Sequence, residues 1–144
     1  MIVVDANILL YAQDSTSKHH PAARVWVDRI FSGQDPIGLP WLSVWAFLRI
    51  ATNGRIYAAP LSMQQAVDAV ESWLELPHVQ LLSPGDRHWP VLKQMLLKGQ
   101  VRGPAATDAQ LAAIAIEHGG TLYTTDRGFS RFPGLRLINP LDVP

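Results

Sequence analysis

The stretch IVVDANILLYA (residues 2–12) decides how this chain folds. Ile2, Val3 and Val4 are β-branched and contiguous, the pattern of a strand covered on both faces. From Asn7 to Ala12 the chain turns helical, with Ile8, Leu9, Leu10 and Tyr11 at helix-compatible spacing. Asp5 stands between strand and helix, with Asn7 two residues on. A carboxylate there either forms a local Asx-turn or is aimed at a ligand, and these residues alone leave the two readings even.

Outside that stretch, composition narrows the field. The 144 residues are one domain's worth of chain, enough to bury a core. Hydrophobic residues make up 48% and charged residues 17%, which excludes a disordered polar chain. Twelve basic and twelve acidic side chains cancel, so any polyanion must be held by a local patch or through a metal. With no cysteine, disulfides, thiolate zinc sites and cysteine nucleophiles are excluded. No basic and apolar leader opens the chain, and no apolar run approaches the roughly 20 residues of a membrane span. The expectation is a soluble, cytoplasmic protein.

Further along, KHHPAARVWVDRIF reads as a helix starting near Lys18, with Pro21 tolerated in its first turn. Ile37 to Leu39 is a short strand, and PWLSVWAFLRIATNG a helix stopped at Gly54. Ser62 with Gln65 forms a capping-box pair at the head of a helix running to about Leu76. Val79 to Leu82 is a buried strand, and a helix begins at Asp86 and ends at Gly99. Thr107 to His118 is an alanine-rich helix closed by Gly119-Gly120, and Thr121–Thr124 and Leu135–Ile138 are the last strands. Short apolar strands alternating with helices predict a single three-layer α/β domain over residues 1–144, a short parallel sheet flanked by helices. A helical hairpin fills the strandless stretch from Trp41 to Leu76.

In such sheets ligands bind outside the carboxyl ends of the strands. Asp5 sits at one such end, Asp126 at another, and Asp108 heads the helix leading into the strand before Asp126. Singly, Asp108 reads first as a helix-dipole acid and Asp126 as a turn residue. Jointly they place three carboxylates on one edge. Hard oxygen ligands without cysteine or a histidine cluster suit Mg²⁺ or Mn²⁺, and metal-activated water attacking a phosphodiester is the matching reaction.

MIVVDANILLYA, FLRIATNGRIY and TDAQLAAIAIEHGGTLYTTDRGFSRFPGLRLINP resemble the PIN domain family, more closely its VapC-type toxin ribonucleases. The resemblance implies a PIN-like fold and a Mg²⁺-dependent endoribonuclease, homodimeric and neutralised by a VapB-type antitoxin. It implies Asp5, Asp108 and Asp126 as catalytic metal ligands, with Asn7 and Thr124 orienting carboxylates and waters. In one respect the chain departs from the family: a glutamate expected in the helix after the second strand is replaced, by alignment, by Phe47. No acid occurs between Leu39 and Asp68. Glu117, nine residues after Asp108, falls on the opposite helix face and is a poor substitute; Asp86 is a poor one too. The alternative is therefore a weakened scaffold that binds RNA or antitoxin without cutting. A phosphatase using the DAN segment is the least favoured, because Asn7 cannot serve as the second acid.

Other residues divide similarly. Arg102, Arg127 and Arg131, with Lys93 and Lys98, flank the acidic edge as an RNA-binding rim or an ordinary solvated surface. Trp41 and Trp45 share a helical face and read first as core or dimer contact, and second as a base-stacking platform. Trp26, Trp73 and Trp89 lie among aliphatic residues and read as core or antitoxin-groove side chains. His19 and His20 read as exposed helix-start residues rather than ligands.

Overall fold

The computed structural model describes residues 1–142; the last two residues of the expected 1–144 domain lie outside the described residues. The order is β1 (Ile2–Val4), α1 (Ala6–Gln13), α2 (His20–Ser32), β2 (Ile37–Pro40), α3 (Trp41–Ala51), α4 (Met63–Leu74), β3 (Val79–Leu82), α5 (His88–Lys98), α6 (Ala105–Glu117), β4 (Thr121–Tyr123) and β5 (Leu137–Ile138). A 3₁₀ turn, Arg127–Arg131, joins the last two strands. The five strands form one parallel sheet ordered β3-β2-β1-β4-β5.

Side-chain alternation along the strands sorts the core into two layers. Val4, Ile37 and Leu39 pack with α1 to α4, whereas Val3, Leu82 and Leu122 pack with α5 and α6. The sheet is thus covered on both faces, as its unbroken apolar strands require. On the first side Phe31 stacks on Trp73 and Phe47 meets Trp73 edge-on at 5.0 Å, so these three rings fill the space between α2, α3 and α4.

Local chemistry sets the element ends. The Ser62–Gln65 capping box forms in full, and α4 starts there. Several boundaries move inward from their expected positions, α2 starting at His20 rather than near Lys18. α3 ends at Ala51 rather than running to Gly54, because Thr52 turns its hydroxyl back onto Leu48 O at 2.7 Å. α4 stops at Leu74, with Glu75 as its C-cap. α5 starts at His88 rather than Asp86, β4 ends at Tyr123, and β5 is shortened to Leu137–Ile138. α6 shifts the other way and begins two residues early, at Ala105.

The Gly119-Gly120 pair works in two ways. Gly119 takes φ +65°, which a side chain resists. At Gly120 an added Cβ would run into Val3 Cγ2 and lie 3.3 Å from Met1 O. Gly120→Ala is therefore expected to destabilise the fold by about 1–3 kcal/mol through overpacking against β1, read as a lower urea midpoint with an unchanged slope.

Candidate functional site

β1 and β4 are neighbours, but β1 leads into α1 on one face whereas β4 leads into the 3₁₀ turn, whose Phe129 packs on the other. The connections leave on opposite sides, so a crevice opens at the carboxyl ends of these two strands. Asp5 lies at its floor. Its amide donates to Tyr123 O at 3.1 Å, joining the two strand ends. It occupies the N-cap position of α1, yet its side chain makes no capping bond to that helix. The local-turn reading of Asp5 therefore fails.

The carboxylate is held instead from across the crevice. Thr124, buried at the end of β4, donates its hydroxyl to Asp5 Oδ2 at 2.7 Å. Thr124 Oγ1 in turn accepts from Asn7 Nδ2 at 3.0 Å and from the Asp126 amide at 3.1 Å. With its proton committed to Asp5, Thr124 can only accept from Asn7, which fixes the Asn7 amide: the nitrogen faces Thr124 and, at 3.0 Å, Thr125 Oγ1. Asn7 Oδ1 is left buried without a partner, an atom that invites a cation or a bound water.

The other two acids approach from separate segments. Asp108 is in the first turn of α6. Asp126 follows β4, and its Oδ1 accepts from the Gly128 amide at 2.8 Å, so the turn reading holds for that oxygen. Burial pushes the Asp5 carboxyl above its ordinary 3.8; the Thr124 hydroxyl and Ala6 amide oppose the rise, and the charges of Asp108 and Asp126 add to it. Asp108 is raised by burial and by Asp126, against the pull of Arg131. The three carboxylates share one electrostatic field. Among the described residues, however, no three His, Asp or Glu side chains are placed to hold an ion unaided.

Arg131 is the rim cation whose charge reaches this field. Arg102, before α6, and Arg127, in the 3₁₀ turn, are exposed, as are Lys93 and Lys98 on α5. Phe47 is fully buried against Trp73 and fills core. The α3 side chain that reaches the end of β1 is Ser43, whose buried hydroxyl donates to Val4 O at 2.7 Å. Ser43 thus ties the first turn of α3 to the end of β1, while Phe47 points into the core. Thr125 and Ser43 escaped the sequence reading; the doubled threonine and a lone serine in an apolar helix were the available signals.

Glu117 is committed elsewhere. It accepts from the Gly85 amide at 3.1 Å and contacts His88 Nδ1 at 2.7 Å, with its side chain 5% exposed. Asp86 is exposed in the loop before α5. The histidines near Lys18 are partly buried rather than exposed: His20 Nδ1 donates to Tyr11 O at 2.9 Å, and His19 packs on the Tyr11 ring. Trp26 and Trp73 are core, whereas Trp41, Trp45 and Trp89 are exposed, which removes the core reading for those three.

A family model described as PIN domain matches residues 2–135. Ribonuclease VapC37 of Mycobacterium tuberculosis is 39% identical over 140 residues, covering 97% of each chain. The fold is shared with FitAcB from Neisseria gonorrhoeae, at TM-score 0.71 and 18% identity over 99% of this chain and 100% of that one. VapBC2 from Rickettsia felis, solved bound to a DNA fragment from its promoter, matches at TM-score 0.68 and 16% identity, covering 96% and 98%.

The raised carboxyls set a pH dependence. Asp5 and Asp108 hold their protons to higher pH folded than unfolded, so stability falls as pH rises from 3.8 through their folded values. Asp5→Asn keeps an acceptor for Thr124 and removes the buried charge. It is expected to raise Tm at pH 7 by a few degrees, with the gain shrinking as pH is lowered toward 3.8; thermal melts across a pH series test this.

Proposed function

This chain belongs to the PIN domain family, and from that premise we propose that it is a metal-dependent endoribonuclease toxin of the VapC type. Its partners are RNA, a VapB-type antitoxin and a second copy of itself, and it acts in the cytoplasm. No described helix is long and apolar enough to cross a membrane. The observation that carries the reading is the crevice network, in which Thr124 and Asn7 pin a carboxylate that Asp108 and Asp126 repel.

A hard divalent cation fits these residues. The donors are all oxygens, burial and then neighbouring negative charge raise the Asp5 and Asp108 carboxyls, and Asn7 Oδ1 is buried without a partner. Asp5 and Asp108 would hold the ion, with Asp126 acting directly or through water. Mg²⁺, or Mn²⁺ in its place, suits a site with few protein ligands, since it keeps waters and accepts substrate phosphate oxygens. Bound there, the cation supplies charge against the scissile phosphate and acidity to an attacking water.

The chain's own groups do the positioning. Thr124 fixes Asp5 through Oδ2, Asn7 fixes Thr124, and the Asp126 amide completes the arrangement. Arg131, with Arg102 and Arg127 along the rim, draws in the sugar–phosphate backbone. Single-stranded or looped RNA is the substrate, because A-form duplex hides its base edges in a deep, narrow groove.

A second reading has its own support: α3 carries no acid, and no three acidic or histidine side chains among the described residues suffice for an ion. That favours a scaffold that grips RNA without cutting it. Protein freed of antitoxin and incubated with structured RNA distinguishes the two. Cleavage in Mg²⁺, abolished by chelator and lowered about 10²-fold or more in Asp5→Asn and Asp108→Asn, is the enzyme's result; binding without cleavage in every divalent metal is the scaffold's.

A further inference from the structure

The end of α1 remote from the crevice carries a carboxylate of its own. Asp14 is the C-cap of that helix, and its side chain is held in place: Thr16 gives Oδ1 its amide at 3.0 Å and its hydroxyl at 2.6 Å. Among the described residues Asp14 makes no ion pair. The carbonyl end of a helix is its negative pole, so an acid there adds charge of the same sign. No basic residue in the last turn of α1 offsets it.

Asp14 lines a pocket of about 270 Å³ between this helix end and the loop after α3. The loop is already fixed. The Leu61 amide closes its neck on Ala51 O at 2.9 Å, and the Tyr57 amide donates to Asn53 O at 3.1 Å. Leu10 and Ala51, both buried, and half-buried Leu61 make the lining largely aliphatic. Ile56, which also lines it, is left 55% exposed. Tyr57 brings a phenol to the same space. Burial, then the charge of Asp14, then Tyr11 push that phenol above its ordinary 10.0, so the carboxylate and the hydroxyl act on one another. A preformed aliphatic pocket with a few convergent polar groups is the composition of a small-ligand site. No residue lining it is basic, and none belongs to the crevice.

We propose that this pocket binds a small organic cation, a primary alkylammonium whose head meets Asp14 and Tyr57 and whose stem lies on Leu10, Ala51 and Leu61. The proposal goes beyond the ribonuclease reading and stands without it. Charge decides the class of ligand. An anion is repelled by Asp14 and by the helix end behind it, and a neutral solute leaves the carboxylate unpaired. A hard metal ion finds one carboxylate among aliphatic walls, too few oxygens to replace its waters. An ammonium supplies three donors, enough for the carboxylate, the phenol oxygen and solvent at the mouth. Its stem leaves water for the aliphatic lining, which adds the apolar part of the affinity.

The probe is n-pentylammonium, with 1-pentanol as its uncharged counterpart. Titrated into the isotope-labelled full chain, pentylammonium is expected to shift the amide resonances of Asp14, Thr16 and Tyr57 saturably, with a Kd of about 1 mM. The alcohol should bind about tenfold or more weakly. Asp14→Asn keeps an acceptor for Thr16 and removes the charge, so it should bring the amine down to the affinity of the alcohol without loss of Tm. Tyr57→Phe keeps the ring and should weaken the amine severalfold. Asp5→Asn, which discharges the crevice, should leave amine binding unchanged. Equal affinity for amine and alcohol, or wild-type affinity in Asp14→Asn, overturns the proposal. So do shifts that never saturate, and shifts centred on Asp5 and Asp108, which give the amine to the crevice. Resonances that stay still with pentylammonium but move with a VapB-type antitoxin peptide give the pocket to that partner and overturn it as well. None of these measurements depends on RNA cleavage, so a chain that cuts nothing loses the ribonuclease reading and keeps this one.

Discussion

One hydroxyl oxygen holds the crevice together. Thr124 Oγ1 gives its single proton to Asp5 and accepts from the Asn7 amide and the Asp126 backbone. Those groups come from residues 5, 7, 124 and 126, so this one atom couples the end of β1, the start of α1 and the exit of β4. Because it is buried, each bond must be made or its loss is uncompensated by water. The adjacent parallel pairing of β1 with β4 makes the arrangement possible, since Val4 sits opposite Tyr123 and the next residues of both strands enter the crevice side by side.

Much of this was legible from the chain alone. β-branched runs, capping residues and paired glycines located each strand and most helices, and alternation with helices required a parallel sheet. The convergence of Asp5, Asp108 and Asp126 followed from that topology, because each stands where a strand ends or a returning helix begins. What stayed hidden depends on side-chain direction rather than on spacing. Phe47 and Ser43 lie four residues apart on one apolar helix, and only the packing of Phe47 against Trp73 shows which of them turns toward β1. Likewise Trp26 and Trp89 share apolar neighbours in sequence, yet one is core and the other lies open. The short strands lost residues at their ends for a related reason: pairing partners, not propensity, decide where a ladder stops.

The chain carries no net charge, so attraction for a polyanion is local. The acids are gathered in the crevice, and Arg131 is the cation whose charge reaches Asp108 there. Gathering carboxylates in a half-buried place costs stability, as the raised Asp5 and Asp108 carboxyls record. Such strain is characteristic of sites shaped for a ligand rather than for the fold. The two apolar layers, with their ring cluster on one side and alanine-lined α6 on the other, offset that cost.

The clasp between His88 and Glu117 sits at the opposite end of α6 from Asp108. A helix is a stiff rod, and nine residues separate the two acids, about 14 Å of axis. Whatever anchors the distal tip therefore aims the proximal one. Gly85, in the loop after β3, and His88, at the head of α5, grip the tail of this rod and hold its direction against the sheet.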